Sequence, residues 1–377
     1  MSKFDSIRPY YDSEVNEALK SVVAHPMMKA LMHFTFPELP EEEWQKQLVK
    51  THSIRDFQCN FIYHAARKVL EKSSDGLTTS GFEKLEKNTP YLFTSNHRDI
   101  ILDTSLLNVA LFEHGLTMTA SAIGDNLVQK DFLLKLSKLN RNFLVQRGLT
   151  PRELLQSSKL LSEYIHQMLL RENRSVWIAQ REGRTKDGND QTQQGVLKMI
   201  AMAAEELSPA DYFKQLKVVP VSISYEYDPT DMLKMPQLLA QYKNELYIKE
   251  KNEDFITLMS GIIGQKKRIH IHIGNTLDEQ LTAISEEFEA GNKQLQAIAQ
   301  VLDEAIISGY QLWPTNYIAY DILKGTTQFE NEYTEQEKLL FERRLEMKID
   351  KTDVFQRESF LAMYANPVIN QKKLIHA

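Results

Sequence analysis

Between residue 76 and about 280 short β-type runs alternate with apolar helical patterns, and this alternation restricts the possible folds more than any other feature. The candidate strands are Tyr91–Ser95, Met118–Ile123, Asn142–Val145, Val176–Ala179, Val218–Ser224 and Arg268–Ile273. Helical patterns lie between them at Leu102–Phe112, Arg152–Leu170 and Val196–Leu207. Strands separated by helices are not joined as hairpins, so the pattern predicts an α/β fold with a largely parallel sheet flanked by helices on both faces. Chemistry in such folds gathers at the carboxyl ends of the strands, where loops lead into helices. The helix after Thr150 has a clear start. Thr150 caps it, Pro151 takes the first helical position and Glu153 completes a capping box. Leu154, Leu155, Leu161, Ile165, Met168 and Leu169 then recur at helical spacing and predict its buried stripe.

The flanks differ from this core. Residues 1–75 read as helices interrupted by Phe36-Pro37-Glu38-Leu39-Pro40, with Ser73-Ser74-Asp75-Gly76 as a boundary loop. Met27, Met28, Leu31, Met32 and Phe34 make a short amphipathic stretch that reads first as packing and second as a membrane contact. Residues 281–377 return to helical patterning around a Trp313-Pro314 break, as an appended region rather than a second catalytic unit. Three parts follow: an N-terminal helical region 1–75, a core 76–280 and a C-terminal helical region 281–377.

Composition removes several function classes. A 377-residue chain with 42% hydrophobic and 25% charged residues is globular, and a formal charge of -6 argues against a dedicated nucleic-acid binder. The single cysteine, Cys59, excludes an internal disulfide and a cysteine-built zinc site. The N-terminus shows no apolar signal region, and no run reaches the roughly 18 apolar residues of a membrane span. The expectation is a cytoplasmic protein whose membrane contact, if any, is peripheral on the inner face. His270 and His272 share one face of a strand whose other face carries Ile269, Ile271 and Ile273. A half-exposed strand explains them better than a metal site, and no metal is expected.

Two loops concentrate the chemistry. Tyr91–Ser95 runs into Asn96, His97, Arg98, Asp99 and Asp103, and a histidine beside a carboxylate is suited to general-base work. Val176–Ala179 runs into Gln180, Arg181, Glu182, Gly183, Arg184 and Lys186. The arginine fork suits phosphate, and glycine admits an anion close to the backbone. Asn140–Arg147 ends in a base, and Lys217–Tyr225 is a strand with Pro220 near its start.

Taken in order, these four blocks resemble those of the glycerolipid acyltransferase superfamily, which includes the glycerol-3-phosphate and 1-acylglycerol-3-phosphate acyltransferases. Its His-x4-Asp block, basic-ended block, Glu-Gly-x-Arg block and Val-Pro-Val block correspond to Asn96–Asp103, Phe143–Arg147, Arg181–Arg184 and Val219–Val221. Gly264–Gly274 resembles the strand that closes the family's core. Two departures mark a divergent branch. The family's aspartate position holds Leu102, with acidic residues at Asp99 and Asp103 instead, and Glu-Gly-x-Arg is shortened to Glu182-Gly183-Arg184 or begins with Arg181. Asp103 is preferred because one residue of loop adjustment restores the spacing, and Asp99 is the alternative.

The resemblance implies acyl transfer from an acyl thioester, acyl-CoA or acyl-carrier protein, to a hydroxyl of glycerol-3-phosphate, a lysophospholipid or a related acceptor in phospholipid biosynthesis. His97 is then the base, Asp103 or Asp99 its partner, and Asn96, Arg98, Arg147, Arg181, Glu182, Gly183 and Arg184 the substrate-binding set. No cofactor, metal or covalent acyl-enzyme is implied. Two other readings remain: a thioester or ester hydrolase on the same scaffold, and a non-catalytic lipid or acyl-carrier binding protein.

Overall fold

The computed structural model describes residues 2–350 and 352–376. Its centre is a seven-stranded sheet built from β1 (Ser74–Ser80), β2 (Leu92–Ser95), β3 (Ala120–Gly124), β4 (Asn142–Val145), β5 (Val176–Ala179), β6 (Val218–Tyr225) and β7 (Lys267–Ile273). The spatial order is β1-β7-β6-β2-β5-β3-β4. Every pairing is parallel except β6 with β7. β6, β2, β5, β3 and β4 therefore point their carboxyl ends to one edge, while β7 and β1 run the other way.

The central strands read as continuous apolar runs because both their faces are covered. Leu92 lies level with Val176 and Val218, and all three join the core on one side with Ile165 and Met168. Phe93 lies level with Trp177 and Val219, and these join the other side with Leu106 and Leu107. One step along the chain changes the face, as strand geometry demands.

Six expected strands are present to within two residues at their ends. β1 is the correction. Ser73-Ser74-Asp75-Gly76 is not a boundary loop, because the helix Tyr63–Ser73 passes directly into an edge strand paired with β7. Ser-Asp-Gly-Leu-Thr-Thr-Ser has no apolar alternation. Its strand conformation comes from a partner almost two hundred residues away and from half-exposed edge packing that needs no apolar face. The helical pattern Val196–Leu207 is also shorter than expected. It ends at Ala201, Glu205 turns through a positive φ, and Ser208 caps a new helix, Pro209–Gln215.

The helix Pro151–Leu170 has the expected capping box, and Leu161, Ile165, Met168 and Leu169 are buried. Leu154 and Leu155 are not, at 53% and 60% exposed, because the first turns run beside an open cleft rather than over the sheet. In the helix Pro26–Thr35, Met28 and Met32 are fully buried against Trp44, Phe57 and Leu19, so its stripe is packing. His270 and His272 face outward along β7 and meet the hydroxyls of Thr78 and Ser80, with the three isoleucines buried behind them. The C-terminal helices Pro314–Lys324, Glu335–Lys348 and Val354–His376 pack on Tyr227 and Met235, just beyond β6. Among the described residues, no helix is long and apolar enough to cross a membrane.

Candidate active site

β2 ends at Ser95, and the next eight residues fold around one carboxylate. Asp103 is wholly buried at the start of the helix Leu102–Glu113. Its Oδ2 accepts from His97 Nδ1 at 2.8 Å and from the backbone N–H groups of Arg98 and Asp99 at 2.7 and 3.1 Å. Its Oδ1 accepts the Tyr225 hydroxyl at 2.9 Å. A carboxylate can only accept, so Nδ1 of His97 carries the hydrogen and Nε2 is left as the lone-pair nitrogen. The His97 side chain is 15% exposed, packs edge-on to Trp177 and lines an open cleft.

The structure thus brings Asp103, not Asp99, to the histidine. Asp99 turns the other way, and its Oδ1 accepts from the N–H groups of Ile101 and Leu102 at 2.9 Å each. This turn absorbs the extra residue between His97 and its partner. Burial, with the Asp103 charge next, pushes the Asp99 carboxyl above the usual range. The helix Glu253–Ile263 closes over it at Gly261, where a Cβ would come within 2.2 Å of Asp99 Oδ2.

Two residues expected to bind substrate are committed to the protein. Asn96 is fully buried, and its amide clips β2 to β6 by donating to the Ile223 carbonyl at 2.9 Å and accepting its N–H at 2.8 Å. Arg98 pairs with Asp190, which also receives the hydroxyls of Thr185 and of Tyr310 from the C-terminal region. Asn96 and Arg98 therefore shape the loop from within. A backbone bond from Thr185 N–H to the His97 carbonyl, 2.9 Å, locks the second loop to the first.

The second loop follows β5. Gly183, at φ 70°, turns the chain so that Arg181, Glu182, Arg184 and Lys186 line the same cleft as His97. The cleft, about 570 Å³, crosses the carboxyl ends of β3, β4 and β5, touching Gly124, Val145 and Ala179. Arg147 pairs across it with Glu182, and Lys249 with Asp254. Arg181, Arg184 and Lys186 have no salt-bridge partner among the described residues, and Arg184 reaches only the Thr230 hydroxyl at 3.4 Å. Burial, with Arg184, Lys234 and Lys249 around it, lowers the Lys186 ammonium to about 7. Cations left without an ion-pair partner around one cleft are an arrangement that suits an anionic ligand.

A second, apolar cavity of about 250 Å³ lies under the helix Leu102–Glu113, among Val109, Met118, Leu133, Leu136 and Ile262. It shares Ile100, Ala122, Ile123 and Leu127 with the cleft that His97 lines. Sequence reasoning had no means to find Lys249, Asp190 or Tyr310, which enter from distant segments with no motif of their own. Tyr225 was visible as the end of an apolar strand, without anything to tie it to Asp103.

Comparison with known proteins bears on the same segment. Residues 76–224 match the family model described as Acyltransferase. Among curated proteins none matches this chain. Among solved structures, the 1-acyl-sn-glycerophosphate acyltransferase PlsC from Thermotoga maritima is similar at 13% identity, covering 78% of this chain and 91% of that one, with a TM-score of 0.40. Residues 76–224, the segment that matches the Acyltransferase model, contain all four blocks and both loops of the site.

Proposed function

We propose that this protein moves a fatty acyl group from an acyl thioester, acyl-CoA or acyl-carrier protein, to a hydroxyl of glycerol-3-phosphate, a 1-acylglycerol-3-phosphate or a related lipid acceptor in phospholipid biosynthesis. One observation carries the reading: His97, its Nδ1 taken by Asp103, lines a cationic cleft together with Ile100, Ala122, Ile123 and Leu127, which that cleft shares with an apolar cavity. The acyl chain lies in the cavity, and the acceptor's phosphate lies against Arg181, Arg184 and Lys186, with Arg147 at the rim. The acceptor hydroxyl and the thioester carbonyl then meet at His97.

His97 Nε2 takes the hydroxyl proton as the oxygen attacks the carbonyl carbon. The tetrahedral adduct collapses, the carbon–sulfur bond breaks, and the thiolate leaves with the proton that His97 returns. Asp103 holds the imidazole in the required tautomer and balances its transient charge. Phosphate binding converts a bimolecular encounter into a positioned attack. The scheme needs no metal, resident cofactor or covalent acyl-enzyme.

The acceptor and donor place the reaction at a membrane surface, which the protein meets peripherally. With Met28 and Met32 packed inside, exposed apolar side chains stand at Phe34, which lines the cavity, and at Ile256, Met259 and Ile263 on the helix Glu253–Ile263, whose Leu258 and Ile262 line it. Failure of the purified protein to bind lipid vesicles would remove this part of the proposal.

The deciding experiment supplies labelled acyl-CoA and acyl-carrier protein with glycerol-3-phosphate, 1-acylglycerol-3-phosphate and hydroxylated amino-acid lipids, with His97→Ala in parallel. Acceptor-dependent product that disappears in the variant supports transfer and names the acceptor. Acceptor-independent loss of thioester would replace it with hydrolysis. Lipid binding without turnover would replace it with a carrier role.

A further inference from the structure

Asp103 is held unevenly. Three donors converge on Oδ2, two of them backbone N–H groups of its own loop. Oδ1 has one donor among the described residues, the Tyr225 hydroxyl, and this donor comes from another strand. A buried carboxylate with one oxygen unpaired turns about its own bond to find a partner, and the direction offered to His97 turns with it.

Tyr225 is well placed to prevent this. It is the last residue of β6, and Ile223, two residues earlier on the same face, is the residue clipped by Asn96. Two fastenings two residues apart, Asn96 to Ile223 and Asp103 to Tyr225, set the His97 loop against the central sheet. Burial, with the charges of Asp103, Asp99 and Asp228 nearby, keeps the phenol protonated far above its usual range, so it remains a donor.

We infer that Tyr225 is a positioning residue for acyl transfer, fixing the plane of the Asp103 carboxylate so that His97 presents Nε2 to the acceptor hydroxyl. The inference rests on the transfer reaction proposed above. It extends the histidine–carboxylate pair to a Tyr225–Asp103–His97 chain in which each hydrogen points toward the histidine's partner.

The test pairs kinetics with a readout on the free protein. Tyr225→Phe keeps the ring and should lower kcat between about 10- and 100-fold, with KM for donor and acceptor unchanged. A general loosening of the site would raise both KM values. Independently, the Nδ1 proton of His97 should give a low-field proton resonance in the unliganded protein, identified by its absence in His97→Ala. That resonance should move or broaden in Tyr225→Phe. Fluorotyrosine at position 225 keeps shape and fold while strengthening the donor, and should shift it as well. Wild-type kcat in Tyr225→Phe, or a resonance untouched by both replacements, overturns the inference while leaving the transferase reading intact. A wild-type protein without acceptor-dependent transfer overturns that reading first.

Discussion

The two loops at the carboxyl edge of the sheet are built to opposite rules. In Asn96–Asp103 the polar side chains are spoken for by the protein: Asn96 by β6, His97 by Asp103, Arg98 by Asp190, Asp99 by the helix start. In Arg181–Lys186 the cations face a cleft with no acid to pair three of them. The first loop is complete before any substrate binds, which is what a proton-transfer group needs. Under the proposed transfer the second is completed by its ligand, so that reaction and recognition are divided between neighbouring loops joined by the Thr185–His97 backbone bond.

The sharpest way to break this comparison is within the first loop. His97→Ala should cost at least about 10²- to 10⁴-fold in kcat, with little change in binding of either substrate. Asp103→Asn should follow at about 10²- to 10⁴-fold, because an amide no longer holds the imidazole tautomer. Asp99→Asn, which keeps the oxygen that accepts from Ile101 and Leu102, should stay within about 3-fold of wild type. Equal losses at the two aspartates would dissolve the assignment of Asp103.

In the second loop the effect should move from kcat to KM. Arg184→Met and Lys186→Met should each raise the acceptor KM about 10- to 100-fold, the value of one hydrogen bond to a charged group, with kcat within a few-fold. A loss confined to kcat in steady-state kinetics would mean these cations act on the reacting atoms instead.

Smaller effects appear in stability, and their pH dependence separates the loops again. The folded Lys186 amine sits near 7 against 10.5 for the free side chain, so between those values the unfolded chain binds the extra proton. Wild-type stability therefore rises as pH climbs from about 7 toward 10. In urea titrations Lys186→Met should be more stable than wild type at pH 6, with the margin shrinking toward pH 10. Asp99 has the opposite sign. Its folded value is raised, so above the unfolded value of about 4 the native state holds the extra proton, and the cost of its buried charge grows as pH climbs. Asp99→Asn should be stabilising at pH 7, and the gain should fade as pH falls and be gone below about 4. A flat difference across pH in either variant would mean the group does not titrate as its surroundings require.

Much of this arrangement was legible before folding. Six strands announced themselves as short apolar runs, and the capping box of Pro151–Leu170 fixed that helix to within a residue. The two loops were conspicuous because dense charge follows directly on an apolar strand. β1 was hidden because an edge strand needs backbone pairing, not an apolar face. Leu154 and Leu155 misled because periodicity reports a stripe without saying where the body it covers ends.

By itself the sequence determined the class of fold, the order of the blocks and the residue types available for chemistry, since these depend on local periodicity and on neighbours along the chain. The tertiary structure decided which aspartate meets His97, that Asn96 and Arg98 are bonded to Ile223 and Asp190, and that Tyr225 reaches Asp103 from another strand. It also decided that the apolar cavity opens beside the cationic cleft. Those are relations of a few ångströms between segments up to a hundred or more residues apart, and hydrogen bonds of that kind are set by how the sheet and its helices pack, not by spacing along the chain.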